Sequence, residues 1–361
     1  MSRKQNSAPT VMIMAGGTGG HVFPGLALAA ELQKQNVQVV WLGTHVGLEA
    51  QWVKQAGIDF YPIDIQGLRG KGMLGWLVAP FRVLKAMRQA RAILRQTQPD
   101  LVLGMGGFVC GPGGLATRWQ GIPLWLHEQN AVVGLTNRLL APLAEKIWCA
   151  FPNRQLQGKK VTVVGNPVRA GLTEVAPVKN PHIHTLLVLG GSRGAQALNQ
   201  SVPQALALLP PEARPQRIVH QTGTAQVAAT RTLYQDLQIP AEVVSFIEAM
   251  PQAYAQADFV IARAGALTVS ELISAARPAL LVPFPYAVDD HQSANAAVLV
   301  AAGGGQQMPQ KALTDSALAQ ALQAWQQGDR LTQASLALSE QRPTAVAEQL
   351  AQRLLSRLQS S

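Results

Sequence analysis

Residues 11–33 read VMIMAGGTGGHVFPGLALAAELQ, and the fold is decided there. Residues 11–15 are apolar without alternation, the mark of a strand covered on both faces in a parallel sheet. The run feeds straight into a glycine turn, Gly16-Gly17-Thr18-Gly19-Gly20, and then into apolar residues at helical spacing. Strand, glycine turn and helix in that order open a βαβ unit. The unit recurs as WLG at residues 41–43, DLVLGMGG at 100–107 and IPLWLHEQN at 122–130. Because such crossovers are right-handed, the chain winds a sheet in both directions from its first strand. The pattern then restarts. TLLVLGGSRGAQALNQ, residues 185–200, mirrors the opening, with further strands expected at 217–220, 242–246, 258–262 and 279–283. The reading is an α/β protein of two tandem doubly wound, Rossmann-like domains facing a cleft. GNPVRAGL, residues 165–172, is the expected hinge. The first domain takes residues 1–168 plus 344–361, the second 169–343.

A chain of 361 residues suits two domains at about 150 residues each. With 48% apolar and 14% charged residues it is no disordered polymer. Two cysteines, Cys110 and Cys149, make no disulfide framework. The first apolar run is too short for a signal peptide, and no stretch nears the roughly 18 apolar residues of a membrane span. A protein of a reducing compartment is expected. Its net charge of +10 calls for an anionic partner. Zinc spacing, a recognition helix and an RNP-like strand are all lacking, so nucleic acid is not expected. Residues 66–99 hold seven basic residues and no acidic one. Within them, WLVAPFRVLKAMRQARAILR is amphipathic, and half of its apolar face is expected to pack into the core. Trp76, Leu77 and Phe81 at its front, flanked by Arg82 and Lys85, are the candidates for lying in an anionic membrane interface.

Three glycine loops carry the chemical signal: GGTGGH at 16–21, GMGGFVCGPGG at 104–114 and GGSRGA at 190–195. A glycine loop between strand and helix lets backbone approach an anion, and the helix start offers free N–H groups. The dinucleotide fingerprint fails, because Val22 stands where its last glycine belongs. The Walker pattern fails at GLRGKG, residues 67–72, which has no Ser or Thr after its lysine. Hydride transfer and P-loop hydrolysis are thereby disfavoured, and a two-substrate transferase using a nucleotide diphosphate fits better. Glu271, in RAGALTVSE at 263–271, is placed either to accept ribose hydroxyls or merely to favour a helix dipole.

GGTGGHVFPGLALA, GLRGKG, GMGGFVCGPGG, LHEQNAVVGLTNR, VGNPVR, GGSRGAQALN, ARAGALTVSEL and DDHQSANA follow one another in this chain. In that order and spacing they resemble the MurG family. These are bacterial UDP-N-acetylglucosamine:undecaprenyl-diphospho-MurNAc-pentapeptide N-acetylglucosaminyltransferases of glycosyltransferase family 28, with the GT-B fold. The resemblance implies inverting transfer of GlcNAc from UDP-GlcNAc to the 4-hydroxyl of lipid I, giving lipid II. It implies that the second domain holds UDP, with Ser192 at the diphosphate, Ile247 at the uracil, and Ala266, Leu267, Thr268, Val269, Ser270 and Glu271 framing phosphate and ribose. Gln292 would meet the GlcNAc hydroxyls. Thr18, Gly19, Gly20, Asn130 and Arg169 also match donor-binding positions. The loops at Gly16, Gly17, Gly106 and Gly107 are placed for the acceptor diphosphate. It further implies peripheral attachment to the cytoplasmic face of the inner membrane, and other cell-wall synthesis proteins as partners. The same fold with another lipid acceptor is the alternative.

Such a transfer needs a base for the attacking hydroxyl and charge stabilisation for departing UDP. His21, at a helix start beside the first glycine loop, is the expected base. Glu128 is its rival or its orienting group, and His127 reads as a buried core histidine. No Asp-x-Asp follows a strand, since Asp289 and Asp290 are adjacent. Neither metal nor cofactor is therefore expected. Helix-terminal amides, Ser192 and Arg263 would hold the leaving charge. The cysteines read as structural.

Overall fold

The computed structural model describes residues 8–17, 19–45, 49–65, 72–191 and 194–360, and of residues 72–79 the backbone. The chain divides into two compact units, Met1–Val168 with Ala345–Ser361, and Arg169–Thr344.

In the first unit the strands are β1 (Thr10–Ala15), β2 (Gln38–Thr44), β3 (Asp59–Ile63), β4 (Leu101–Gly106), β5 (Leu124–Glu128), β6 (Lys146–Cys149) and β7 (Val161–Val163). They form one parallel sheet in the order β3-β2-β1-β4-β5-β6-β7. The second unit holds β8 (Thr185–Leu189), β9 (Arg217–Gln221), β10 (Glu242–Val244), β11 (Phe259–Ala262), β12 (Ala279–Leu281) and β13 (Gly305–Gln307). These are also parallel, in the order β10-β9-β8-β11-β12-β13. Each sheet starts at its middle and is wound outward in both directions, the doubly wound architecture expected from the apolar runs. The winding reverses between β1 and β4 in one unit and between β8 and β11 in the other. Ligands of such sheets sit at that reversal, outside the carboxyl ends of the strands.

Both faces of each sheet are covered, which is why the central strands carry no polar alternation. From β1, Val11, Ile13 and Ala15 face Leu28 and Leu32 of the helix Gly19–Lys34, and Val346, Leu350 and Leu354 of the helix Val346–Gln359. Met12 and Met14 face the opposite core, with Ala86, Ala90 and Leu94 of the helix Gly72–Thr97 and Ala116 of the helix Cys110–Trp119. The 86/90/94 spacing is one face of a helix, so the basic amphipathic segment does bury one side.

Candidate active site

At the reversal in the first unit, two glycine loops meet backbone to backbone. The β1–β4 register steps from Met14 opposite Gly104 to Ala15 opposite Gly106. That bulge turns the β4 end toward the β1 loop. Gly106 and Gly107 then take φ of 108° and 87°, values that favour glycine. A Cβ on Gly107 would lie 2.3 Å from the Gly16 carbonyl oxygen, so only glycine permits this approach. Cys110 pins the corner from behind. Its thiol bonds to the carbonyls of Met14 at 3.2 Å and Gly106 at 3.1 Å. Burial pushes that thiol up to about 12, so it stays protonated and is a packing residue, as is buried Cys149. Gly16, Gly17, Gly106 and Gly107 are thus gathered at one place. Thr18 lies outside the described residues.

Gly19 and Gly20 open the helix Gly19–Lys34, whose first turn carries no acidic residue. The positive end of a helix start favours an anion. His21 follows, half-buried, with its ring against Gly106, where a Cβ would come within 2.8 Å of Nδ1. His21 Nδ1 lies 3.0 Å from Oε1 of Gln129. Gln129 Nε2 in turn lies 3.1 Å from Nδ1 of His127, and His127 Nε2 lies 3.0 Å from the carbonyl oxygen of Gly165.

The rival carboxylate sits elsewhere. Side chains of β5 alternate between faces, so His127 and Gln129 share one side and Glu128 takes the other. Glu128 is buried, and its oxygens accept from Asn130 N and Nδ2 (3.0 and 3.2 Å), Gly134 N (3.0 Å) and Asn137 Nδ2 (2.9 Å). Its carboxylate organises the loop after β5, and the group that holds His21 is Gln129. Asn130, matched to donor binding, spends both its N–H groups on Glu128.

At the reversal in the second unit, Gly190 and Gly191 follow β8, and the helix Ala266–Ser274 follows β11. Gly194 has φ 76°, and a Cβ there would fall 2.0 Å from the Thr222 carbonyl oxygen. Asn199 of the same motif is clamped between His220 (3.1 Å) and the Thr222 carbonyl (3.1 Å). Ser192 lies outside the described residues. The helix Ala266–Ser274 has Gly265 as its uncapped N-cap and no acid in its first turn, so Ala266, Leu267 and Thr268 present free N–H groups. Val269 differs from expectation. It is fully buried and its N–H donates to Gly265 O at 2.9 Å, so it has nothing to offer a ligand. Ser270 is buried beside it.

Glu271 is buried, paired with Arg169 and accepting from the Tyr254 hydroxyl at 3.3 Å. Burial pushes its carboxyl above the usual range, while Arg169 and Tyr254 pull it back. The exposed dipole-favouring acid is therefore ruled out, and Tyr254 carried no signal in the sequence. Gln292 opens the helix His291–Ala301, and its Oε1 accepts from Phe284 N at 2.9 Å, leaving the amide NH₂ for a ligand. Ile247 is half-buried in the loop after β10. Arg263 does not project as expected. Its guanidinium bonds to the carbonyls of Val282 and Pro283 and to Gln310, bracing the β12 end. Among the described residues no three His, Cys, Asp or Glu side chains are grouped to hold a metal ion.

Away from these loops, the helix Gly72–Thr97 packs on the helix Cys110–Trp119, and that on the helix Leu135–Leu140. Large apolar side chains stand exposed on all three: Phe81 at 74%, Trp119 at 68% and Leu139 at 67%. Arg82, Arg88, Arg118 and Arg138 are exposed on the same helices. Lys85, also exposed, pairs with Asp64 at 2.8 Å. The side chains of Trp76 and Leu77 lie outside the described residues. Trp119 and Leu139 escaped the sequence reading because each lies on a short helix, with one exposed leucine four residues before it, Leu115 and Leu135, too little to show a periodic face. Among the described residues no helix is long and apolar enough to cross a membrane.

Known proteins agree with this architecture along its length. The glycosyltransferase family 28 N-terminal domain matches residues 11–149, and the family's C-terminal domain matches residues 185–350. The UDP-N-acetylglucosamine–N-acetylmuramyl-(pentapeptide) pyrophosphoryl-undecaprenol N-acetylglucosamine transferase of Hydrogenovibrio crunogenus is 57% identical over 351 residues, 97% of this chain and 99% of that protein. The protein of the same name from Nitrosococcus oceani is 51% identical, covering 87% and 88% of the two chains. The crystal structure of Acinetobacter baumannii MurG superposes with a TM-score of 0.79 at 39% identity, over 98% of this chain and all of that one. The calicheamicin glycosyltransferase CalG4, at 17% identity and a TM-score of 0.71 over 98% of this chain and 99% of its own, shares the fold. With matches of this length and identity, the chain belongs to glycosyltransferase family 28, as a GT-B protein of the MurG family.

Proposed function

We propose that this protein transfers GlcNAc from UDP-GlcNAc to the 4-hydroxyl of lipid-linked MurNAc-pentapeptide (lipid I), forming lipid II by one inverting, metal-independent displacement. The observation that carries the substrates is the full-length likeness to relatives that bear this activity in their name. The second unit takes the donor. Its glycine loop with Ser192 and the free amides of Ala266, Leu267 and Thr268 meet the diphosphate, and Glu271 accepts from the ribose hydroxyls. Ile247 lies at the uracil, and the Gln292 amide meets the sugar.

The first unit takes the acceptor. Gly16, Gly17, Gly106 and Gly107 receive its diphosphate. His21 Nε2 removes the 4-hydroxyl proton as that oxygen bonds to the anomeric carbon and UDP leaves with the electron pair of the broken C–O bond. Preorganised N–H groups stabilise charge without reorganising during the reaction. The exposed apolar and basic residues of the three helices seat the enzyme peripherally on the anionic cytoplasmic face of the membrane, where a polyprenol-linked acceptor resides.

The test supplies purified protein with UDP-GlcNAc and either lipid I or diacylglycerol, with and without EDTA. Lipid II carrying the inverted anomer, formed equally in EDTA, is expected. A retained anomer, activity lost to EDTA and restored by magnesium, or transfer to diacylglycerol alone would overturn the proposal.

A further inference from the structure

We propose that His127 and Gln129 form a buried relay that fixes the tautomer of His21, so that its proton sits on Nδ1 and its lone pair on Nε2. This rests on the reading of His21 as the base, and makes Gln129 a positioning residue.

The main-chain carbonyl of Gly165 can only accept. His127 Nε2, 3.0 Å away, must therefore carry hydrogen. His127 is wholly buried, and burial pushes its pKa down to about 4, so at neutral pH the ring holds a single proton. Its Nδ1 is then an acceptor. The Gln129 side chain, 3.1 Å from that atom, must turn its NH₂ toward it. Its carbonyl Oε1 is thereby committed to the opposite side, where His21 Nδ1 stands at 3.0 Å. A carbonyl there requires the hydrogen of a neutral His21 on Nδ1. Reversing the Gln129 amide would set lone pair against lone pair at His127 or at Gly165, so one arrangement satisfies every link.

The parts are held rigidly. Gln129 is buried at the end of β5, and its own carbonyl accepts from Asn166 Nδ2 at 3.2 Å. The His21 ring lies against Gly106, where a Cβ would approach to 2.8 Å. Turning that ring over would exchange Nδ1 for a carbon and break its bond to Gln129. The mechanism needs this outcome, because a base must present a lone pair to its substrate. In the other tautomer Nε2 would carry hydrogen and could only donate.

The experiment uses the full chain with ¹⁵N-labelled histidine. Two-bond ¹H–¹⁵N correlations report the tautomer of each neutral ring, and His21→Ala assigns the signal. We expect His21 protonated on Nδ1 in the wild type and in Gln129→Glu, which keeps an acceptor facing the ring. In Gln129→Met the ring should revert toward the Nε2–H form that free imidazoles favour. Its kcat should fall by about 10²–10⁴-fold, the usual contribution of a general base, with the UDP-GlcNAc KM nearly unchanged. An Nε2–H His21 in the wild type overturns the relay even if Gln129→Met fails to fold. So does a tautomer that ignores a folded Gln129→Met. Failure of the base reading looks different, with full kcat in His21→Ala while the wild-type spectrum still shows Nδ1–H dependent on Gln129.

Discussion

Gly107→Ala tests whether contact between the two glycine loops of the first unit builds the acceptor site. Two costs follow from the structure. The first is conformational. At φ 87° an L side chain pays about 1–2 kcal/mol. The second is steric. The new methyl would lie 2.3 Å from the Gly16 carbonyl oxygen and 3.2 Å from its carbon, both main-chain atoms that cannot swing away. The loops must part by the better part of an ångström, and misplacement of about 1 Å in a reacting site costs on the order of 10²-fold in rate. Gly121→Ala separates the costs. Its φ is 70°, and nothing lies within 4 Å of its added Cβ. Gly121→Ala should lose about 1–2 kcal/mol in denaturant unfolding through backbone strain alone, and Gly107→Ala at least as much. Only Gly107→Ala should lose about 10²-fold in kcat with lipid I, and UDP affinity by calorimetry should hold in both. Wild-type turnover by Gly107→Ala would refute the reasoning, as would an equal loss in Gly121→Ala.

Three further outcomes are expected. His127 and His220 are buried with pKa values pushed to about 4 and about 3, against about 6.5 when unfolded. The folded chain therefore binds fewer protons than the unfolded one in that interval. Stability is complete above pH 6.5 and is lost as pH falls toward 4, by on the order of 2–3 kcal/mol per histidine at pH 4.5. A urea midpoint unchanged between pH 7 and 4.5 would contradict this. Glu271→Gln should weaken UDP-GlcNAc binding by about 1.5–3 kcal/mol, the worth of a charged hydrogen bond, and unchanged affinity in calorimetry would remove Glu271 from the ribose site. Phe81→Ser with Trp119→Ser should cost vesicle binding more than about tenfold, since each large apolar side chain contributes roughly 1.5–3 kcal/mol when buried. Flotation with anionic vesicles at wild-type level would place the docking surface elsewhere.

The central strands were legible because burial on two faces writes an unbroken apolar run, and β1, β4, β8 and β11 each have one. The edges were not. β13, Gly305–Gln307, has no apolar side chain, and its strand form comes from pairing with β12. β7, Val161–Val163, is largely exposed, and β6 is four residues long. Of the residues proposed for the site, His21 and Glu271 could be read because each follows a glycine turn. Gln129 could not, since its partner is 108 residues away. Its one local signal was the period-two spacing from His127, which sets both on one face of β5. The same alternation explains why Glu128, chemically the stronger candidate, is turned away from His21.

The choice of an amide rather than a carboxylate behind His21 has a physical sense. A carboxylate would fix the same tautomer and raise the ring's basicity, but it would add a negative charge beside a loop proposed to receive a pyrophosphate. At an effective dielectric near 20 and separations of several ångströms, such a charge costs about 2–4 kcal/mol against each phosphate charge. Gln129 sets the proton without adding charge. Glu128, one residue away, faces the opposite side of the sheet and is saturated by four N–H donors. The second unit solves a different problem on the same topology. Its buried Glu271 has its carboxyl pushed up by burial and pulled back by Arg169 and Tyr254, and on the proposed function it accepts from the ribose hydroxyls. On the proposed function, the order shared by six strands of each sheet would thus carry an anion-receiving site backed by a neutral relay in one unit and a hydroxyl-receiving acid in the other.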